Sequence, residues 1–346
     1  MRQVYAIVLN TLTETLRQPV YALILAVSCG VIALTPVTAA QIYSFRVTSG
    51  LDLVAERMIA DLGLATVLLA GLVLGVFVSA SVISGEIENR TAGTVLSKTV
   101  SRSGFVVGKY LGVAISIVLA AATCSVIILL TIRAGSAVTA YELIDWGAAA
   151  AMCAAALLAV IIATLRNYYR SKSWIGSFNL AFIALAAALF VVYSVFDKEY
   201  RFVLGVAAGS DVGLLSRLTY DGEVVKAALL TIQAVLVMAS IAVAASTRLG
   251  TLGTAAVTGT FFVLGLTSEY VHNALTSLEW GWLWESFARA LHALVPNLER
   301  FWVNDALTRE IAIPPSYLLV TSAYAFVYVL AMLLLASYLM QNRDVS

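Results

Sequence analysis

The residues best suited to chemistry lie in one polar segment, from Ser84 to Leu111, between two strongly apolar stretches. Its first part places two acidic side chains and one basic side chain, Glu86, Glu88 and Arg90, within little more than one helical turn. Charges at this spacing favour a short helix. Because such a helix would be solvated and anchored between two membrane spans, the chemistry it suits is the docking of a soluble partner.

The second part of the segment carries a break and then a new helix start. Gly93 and Thr94 offer a place for the first helix to stop or bend. Ser101 can cap a second helix that continues through Phe105 and Tyr110 into the next apolar stretch. The pattern therefore predicts a short helix lying across the mouth of the membrane domain. The alternative is an ordinary solvated loop between two membrane helices.

Motifs of the common catalytic classes are absent from the sequence. There is no GxxxxGK[ST] phosphate loop, so we expect no ATP hydrolysis by this chain, and there is no HExxH pair. The two histidines, His272 and His292, lie in one polar segment without a cysteine nearby. Cys29, Cys124 and Cys153 fall in apolar stretches without a CxxC spacing, which favours packing roles. We expect no metal site, no cofactor in this chain and no nucleic-acid partner.

Composition identifies the class of protein. Hydrophobic residues make up 61% of the 346 residues and charged residues 12%, and the mean hydropathy is +0.93. Soluble domains are about 45–50% apolar and about 25% charged. A membrane span needs about 20 apolar residues, and eight stretches qualify: 20–40, 62–83, 109–132, 144–165, 174–196, 224–247, 252–271 and 316–340. The sequence predicts an all-α polytopic membrane protein that forms one transmembrane domain over 1–346.

The basic residues predict the orientation of the spans. If the N-terminus is cytoplasmic, the inner segments hold eleven of the 21 basic residues, although together they are shorter than the outer segments, which hold the other ten. These eleven are Arg2, Arg17, Arg90, Lys98, Arg102, Lys109, Arg166, Arg170, Lys172, Arg248 and Arg343. Since the number of spans is even, both termini are predicted to be cytoplasmic.

The N-terminal residues 1–18 predict an amphipathic helix. Val4, Ile7, Val8, Leu12 and Leu16 recur at helical spacing, and polar residues occupy the other side. Such a helix lies in the membrane surface, and Pro19 permits the bend into the first span. Polar residues interrupt the apolar run too early for a cleavable signal peptide. An early start of the first membrane helix is the alternative.

Two further regions have a distinct character. Residues 144–196 form a pair of spans joined by the basic turn RNYYRSKS, which fixes the direction of the pair and could contact anionic lipid or a partner protein. Residues 272–315 form an outer segment rich in tryptophan with two amphipathic helical patterns, the second running from Leu298 to Leu307. Aromatic helices of this kind belong at the membrane interface.

Several of these motifs together resemble the permease subunits of ABC-2 type transporters. The cytoplasmic coupling region of that family, 84–108 in this chain, carries an acidic pair, Gly-Thr, a Leu-Ser-Lys turn, Ser-Arg and Lys-Tyr-Leu. The residues that match are Glu86, Glu88, Gly93, Thr94, Leu96, Ser97, Lys98, Ser101, Arg102, Lys109, Tyr110 and Leu111. The Ser-Thr-Arg-Leu turn at 246–249 is similar to one between two core spans of that family. Thr99 stands where the family often has proline, and 144–196 looks like an addition to its usual six spans.

The resemblance implies a fold, a function and partners. The fold would be the type V exporter-like transmembrane domain, in the cell membrane. The function would be that of the permease subunit of an exporter. It would pair with a second permease, identical or not, and bind separate ATPase subunits that carry ATP and Mg²⁺. The implied coupling residues are Glu86, Ile87, Glu88, Asn89, Arg90, Gly93, Thr94, Leu96, Lys98 and Arg102. The implied outer gate consists of Phe301, Trp302 and Asp305.

Two other functions stay open on the sequence. An ion-coupled carrier needs ionisable groups near the bilayer midplane, but the most polar residues near the span centres are Asn179 and Gln233. This absence argues against a carrier driven by protons or sodium. A structural or sensory membrane subunit that transports nothing is compatible with all of these patterns.

Overall fold

The structure, a computed structural model, describes residues 2–44, 52–85, 101–135, 146–195, 214–277, 295–309 and 311–341. In these ranges the chain forms helices joined by turns, and no strand occurs among them. The helices are α1 (Arg2–Thr15), α2 (Pro19–Ser44), α3 (Asp52–Ser79), α4 (Arg102–Gly135), α5 (Trp146–Arg170), α6 (Trp174–Val195), α7 (Leu214–Ser246), α8 (Thr251–Ser277), α9 (Asn304–Thr308) and α10 (Pro315–Gln341).

Eight of the described helices, α2 to α8 and α10, are long and apolar enough to cross a membrane. The prediction of an all-helical, multi-pass membrane architecture with eight such segments is therefore confirmed. Pro19 occupies the first position of α2, where its missing N–H leaves no hydrogen bond unmade. The turn at 247–250 separates α7 from α8, as the Ser-Thr-Arg-Leu sequence indicated.

Helices α3, α4 and α7 form the centre of the molecule. In their most apolar windows 61%, 67% and 78% of the residues are buried, against 22–33% for the other five. A Cβ atom on Gly71 would lie 2.7 Å from Val235, and one on Gly75 would lie 3.5 Å from Ala239. The small residues thus let α3 approach α7 closely. The repeat at Gly71, Gly75 and Ser79 serves packing within this chain.

The directions of the helices agree with alternate crossing of a membrane. Helices α3 and α7 are parallel, because Gly71 contacts Val235 and Gly75, further along α3, contacts Ala239, further along α7. Helices α7 and α10 are also parallel, because Lys226 bonds to Ile313 and Gln233 to Ser322 further along. As the second, sixth and eighth spans, α3, α7 and α10 must run in one direction if the spans alternate.

The bundle therefore has two ends, which we name by what lies there. At the junction end, Ser84 of the α3 extension bonds to the α7–α8 turn, and Arg102 of α4 bonds to the end of α10. The α5–α6 turn is at this end too, because Gly176 lies against Leu16 of the α1–α2 connection. At the lid end, residues 295–309 and 311–313, which we call the lid, pack over the other ends of α3, α7, α8 and α10.

Several helix limits differ from those expected. The predicted spans 20–40 and 62–83 leave a loop over 41–61, but α2 continues to Ser44 and α3 begins at Asp52. In the outer segment, the expected second helix from Leu298 to Leu307 is broken into a 3₁₀ turn, Glu299–Phe301, and the short α9. The reason is visible at Trp302, whose backbone leaves the helical region with φ −94° and ψ 87°.

Helices α5 and α6 form a pair at the side of the bundle. Helix α6 packs against α4, while α5 packs mainly against α6. The main polar link is a chain of hydrogen bonds in which Asn179 donates to the hydroxyl of Tyr21, which donates to the carbonyl of Ser116. Only 22% of the apolar window of α5 is buried. The pair therefore lies at the periphery of the bundle, and its being an addition to six core spans stays a prediction.

We predict that the two ends face opposite sides of the membrane, with the junction end inside. In a variant without the native cysteines, Ser171→Cys should be shielded from an impermeant thiol reagent added outside, and Gly222→Cys should react. Ser171 lies in the α5–α6 turn, and a Cβ on Gly222 meets nothing within 4 Å. Equal labelling of both positions from outside would contradict the eight-span topology.

Candidate functional site

The site indicated by the sequence is only partly within the described residues. Positions 86–100 lie outside them, and with these positions go nine of the expected coupling residues: Glu86, Ile87, Glu88, Asn89, Arg90, Gly93, Thr94, Leu96 and Lys98. Arg102 lies inside the described part, as do the helices on both sides of 86–100. The structure therefore shows how that segment is anchored at its two ends.

The leading anchor is the end of α3. The helix continues as a π-helix over Ala80–Ser84, in which all residues but Ser81 are buried. The hydroxyl of Ser84 lies 2.9 Å from the carbonyl oxygen of Ser246 and 2.7 Å from that of Leu249, so its proton is held at the end of α7. On the exposed side, the Gln18 amide donates to Ser81 at 3.0 Å. Short π-helical turns often occur at functional sites.

The trailing anchor is the start of α4. The backbone N–H of Gly104 donates to the Ser101 hydroxyl at 3.1 Å, which confirms Ser101 as the N-cap. Nη1 of Arg102 donates to the carbonyl oxygens of Met340 and Gln341, at 3.0 and 2.7 Å. The last carbonyls of a helix have no partner within that helix. Arg102 therefore caps the C-terminal end of α10 and ties it to the first turn of α4.

Helix α1 packs along the first three turns of α4. Gly104, Gly108 and Gly112 form a strip on which a Cβ would lie 3.6 Å from Val4, 2.9 Å from Ile7 and 2.5 Å from Thr11, respectively. The two helices run parallel, because the contacts advance along both together. The glycines of this repeat thus serve helix packing within the chain, and α1 contacts protein along one face. Thr11 and Thr15 are fully buried on that face.

A buried lysine supports this contact. Lys109 is only 2% exposed, and its ammonium group lies 3.8 Å from a carboxylate oxygen of Glu14 and 5.6 Å from the centre of the Phe105 ring. A buried ammonium group requires such a partner, since removing its charge from water is costly. Glu14 therefore belongs to the interface of α1 with α4, although its helical position suggested a solvated side.

The anchors together decide what the junction end can do mechanically. Residues 86–100 leave α3 at a point bonded to the α7–α8 turn and join α4 at a point bonded to α10. A displacement of the segment would act on α3 and α4 directly and on α7 and α10 through these hydrogen bonds. Binding of a soluble partner at 86–100 could thus change the arrangement of four spans.

The chain matches no protein-family model and no curated protein. The resemblance to ABC-2 permeases consequently rests on the sequence motifs alone, among them those of 84–111 and the turn at 246–249, and the geometry of the junction end does not test it. That geometry includes two features which the resemblance does not specify, the Arg102 cap on α10 and the Lys109 contact with Glu14.

At the lid end, residues 295–303 are fixed to α8 and α10. The N–H of Leu298 donates to the carbonyl of Gly265 at 3.1 Å. The Asn297 backbone N–H donates to the Tyr324 hydroxyl, and its side-chain amide donates to Glu269. The lid approaches α8 so closely that a Cβ on Gly265 would lie 2.7 Å from the carbonyl oxygen of Pro296.

The expected gate residues occupy different positions in this lid. Phe301 is 1% exposed and packs its ring 6.0 Å from that of Tyr324. Trp302 is partly buried and packs against the core from outside. Asp305 belongs to α9, and its side chain lies outside the described part. Phe301 therefore provides the buried aromatic contact between the lid and α10, while Trp302 stays partly exposed.

Three polar contacts tie the rest of the lid to the central helices. Asn304 of α9 bonds to the carboxylate of Asp61 on α3. On α7, the Glu223 carboxylate accepts the N–H of Ile313 at 2.8 Å, and Lys226 donates to the Ile313 carbonyl at 3.0 Å. Sequence reasoning missed all of these residues. The available signal was that Asp61, Glu223 and Lys226 are charged residues next to apolar spans, where polar groups need partners.

We predict that the glycine strip holds α1 in place. Gly112→Val should force α1 away from α4, because its side chain would overlap Thr11, and overpacking costs about 1–3 kcal/mol. Gly30→Val is the control, since a Cβ there meets nothing within 4 Å. Thermal unfolding of the purified proteins in one detergent should show a lower transition temperature for Gly112→Val alone. Equal transition temperatures would contradict the packing of α1.

We predict that Phe301 contributes more to lid closure than Trp302. Removing a buried Phe side chain costs about 3–5 kcal/mol, and Trp302 is less buried. A cysteine replacing Ala306 in a variant without native cysteines serves as the reporter. Its labelling rate should rise strongly with Phe301→Ser and weakly with Trp302→Ser. A larger rise in labelling rate with Trp302→Ser would contradict the prediction, because it would show that the partly exposed Trp302 side chain keeps the lid closed.

Proposed function

We propose that this chain is the membrane-spanning permease subunit of an ATP-driven transporter of the ABC-2 type, and that it exports its cargo. The observation that carries the proposal is the anchoring of residues 86–100. Both ends of this charged segment are bonded to further spans, through Ser84 and Arg102. A displacement of the segment would therefore be passed on to α7 and α10, which coupling to a partner requires.

The distribution of charge supports an external source of energy. In the described spans, charged side chains occur only towards the ends of the apolar segments, as at Asp61, Lys109, Lys226 and Glu269. Transport driven by an ion gradient relies on ionisable groups near the midplane. Between these ends the polar side chains are uncharged hydroxyls and amides, such as Gln233, which donates to Ser322 at 2.8 Å. ATP hydrolysis by a separate subunit needs no charge inside the bilayer.

In this proposal an ATPase exerts force on residues 86–100, which we call the coupling segment. Exposed ion pairs are individually worth about 0–1 kcal/mol, so Ile87, Val95 and Leu96 supply most of the docking energy in a groove of the partner. Glu86 and Glu88 select the partner and the register. ATP-driven closure of two ATPases then displaces the segment in each of two paired permeases, as a rigid-body switch.

The same helices lead from the coupling segment to the proposed gate. Helix α3 carries Ser84 at the junction end and Asp61 at the lid end. Helix α10 ends at the carbonyls that Arg102 caps and carries Tyr324, which accepts the Asn297 N–H of the lid. A shift of these helices at one end would strain the lid contacts at the other. Phe301, Trp302 and Asp305 form the gate in this scheme.

We predict that the coupling residues affect binding and coupling separately. Glu86→Lys with Glu88→Lys should weaken co-purification with the partner ATPase, because the docking charges are reversed. Arg102→Gln should leave the ATPase bound but lower cargo movement per ATP, because α4 is no longer tied to α10. Each variant would be reconstituted with the ATPase, measuring co-purification, ATP turnover and cargo movement.

The control for the charge reversal is Arg170→Glu with Lys172→Glu, two exposed positions at the same end in the α5–α6 turn. It should retain co-purification. Unchanged values on all three measurements for the Glu86 and Glu88 variant and for Arg102→Gln would remove the basis for the permease assignment. The remaining reading would be a structural or sensory membrane subunit, which needs no ATPase.

A further inference from the structure

The turn between α5 and α6 carries an unbalanced positive charge. The described residues of this pair, 146–195, contain no Asp or Glu, and their three charged residues, Arg166, Arg170 and Lys172, fall within seven positions. Arg170 and Lys172 are exposed. None of the three forms an ion pair within the described part of the chain. Such a cluster attracts an anion from outside the chain.

The turn has a defined shape that holds these cations together. The N–H of Ser171 donates to the Asn167 carbonyl at 3.0 Å, and the Asn167 amide donates to the Lys172 carbonyl at 2.8 Å. Ser171 adopts a left-handed conformation with φ 48°. Ser173 then caps the start of α6 through the N–H of Gly176. The backbone is thus fixed on both sides of Arg170 and Lys172.

An apolar surface leads directly to the cations. Leu158, Ile161 and Leu165 are 49–53% exposed and recur at helical spacing on α5. The stripe ends at Tyr168 and Tyr169, which are 79% and 75% exposed and stand edge to face with ring centres 5.1 Å apart. Exposed tyrosines at the end of a membrane span mark the level of the lipid headgroups.

We propose that this surface binds an anionic phospholipid. Arg166, Arg170 and Lys172 hold the phosphate headgroup, and an acyl chain lies along the stripe from Leu165 to Leu158. An acidic soluble protein would satisfy the cations but would leave the apolar stripe and the two tyrosines unused. A basic residue in the last helical turn is favourable to the helix dipole, but this effect accounts for Arg170 alone.

The proposal does not depend on the transport function, and it gives the α5–α6 pair a role of its own. Trp174 provides a probe beside the site, because its side chain is 40% exposed and its indole N–H donates to Thr164 at 3.2 Å. Its fluorescence is obtained as the difference between the parent protein and Trp174→Phe. Lipids with brominated acyl chains quench a tryptophan that they contact.

The experiment uses the full chain in vesicles of phosphatidylcholine with phosphatidylglycerol as the minor lipid. In one set of vesicles the phosphatidylglycerol carries bromine, and in the other set the phosphatidylcholine carries it. Trp174 quenching by brominated phosphatidylglycerol should exceed the level set by its mole fraction. One basic residue near an anionic lipid contributes about a factor of five. Arg170→Gln with Lys172→Gln should therefore lower the preference by about 25-fold and abolish the excess.

Three comparisons make the result decisive. Arg248 is an exposed basic residue at the same end, in the α7–α8 turn. Arg248→Gln should keep the excess quenching. Loss of the excess quenching in this variant would contradict the proposal, because it would indicate only a general attraction of the lipid to this surface. Millimolar inorganic phosphate, at ionic strength matched with sodium chloride, should not remove the excess if the ligand is a lipid. Quenching in proportion to mole fraction in the parent protein, or displacement by inorganic phosphate, would overturn the proposal.

Discussion

Close packing of α3 against α4 and α7 is the constraint on which the rest of the structure depends. Between helices in lipid the hydrophobic effect offers little driving force, so association relies on close contact and hydrogen bonds. Gly63, Gly71 and Gly75 supply this contact, since a Cβ on them would lie 2.6 Å from Ile128, 2.7 Å from Val235 and 3.5 Å from Ala239. The outer helices then add to a centre that is already fixed, which explains why they bury far less of their surface.

Once the central helices are fixed, their ends determine where polar contacts can form. A helix end near a membrane has unpaired backbone groups and limited access to water. Arg102 supplies donors to the end of α10, and Ser84 supplies one to the end of α7. At the other end, Lys226 and Glu223 bond to the backbone of Ile313. The connections that make the two ends mechanically continuous thus follow from the need to satisfy backbone groups.

The sequence was sufficient to predict the eight apolar helices, the Ser101 cap, the start of α2 at Pro19 and the turn at 247–250, because each depends on local patterns. It did not predict that α1 packs in parallel on α4, since the glycine strip at Gly104 to Gly112 indicates a close partner but not which one. For the same reason it did not predict the contact of Glu14 with Lys109. The coupling residues 86–98 remain predictions, and the broken helix at Trp302 lacks any signal in the hydrophobic pattern.

The limit of sequence reasoning at the junction has a physical cause. The acceptors in the connections made by Ser84 and Arg102 are backbone carbonyls of Leu249, Met340 and Gln341. Every residue has such a carbonyl, so the acceptor side leaves no trace in the sequence, and replacing those side chains would leave the hydrogen bonds intact. Only the donors are encoded by residue type. The connections between the spans can consequently be broken by replacing Ser84 or Arg102, whereas no side chain at the acceptor positions takes part in them.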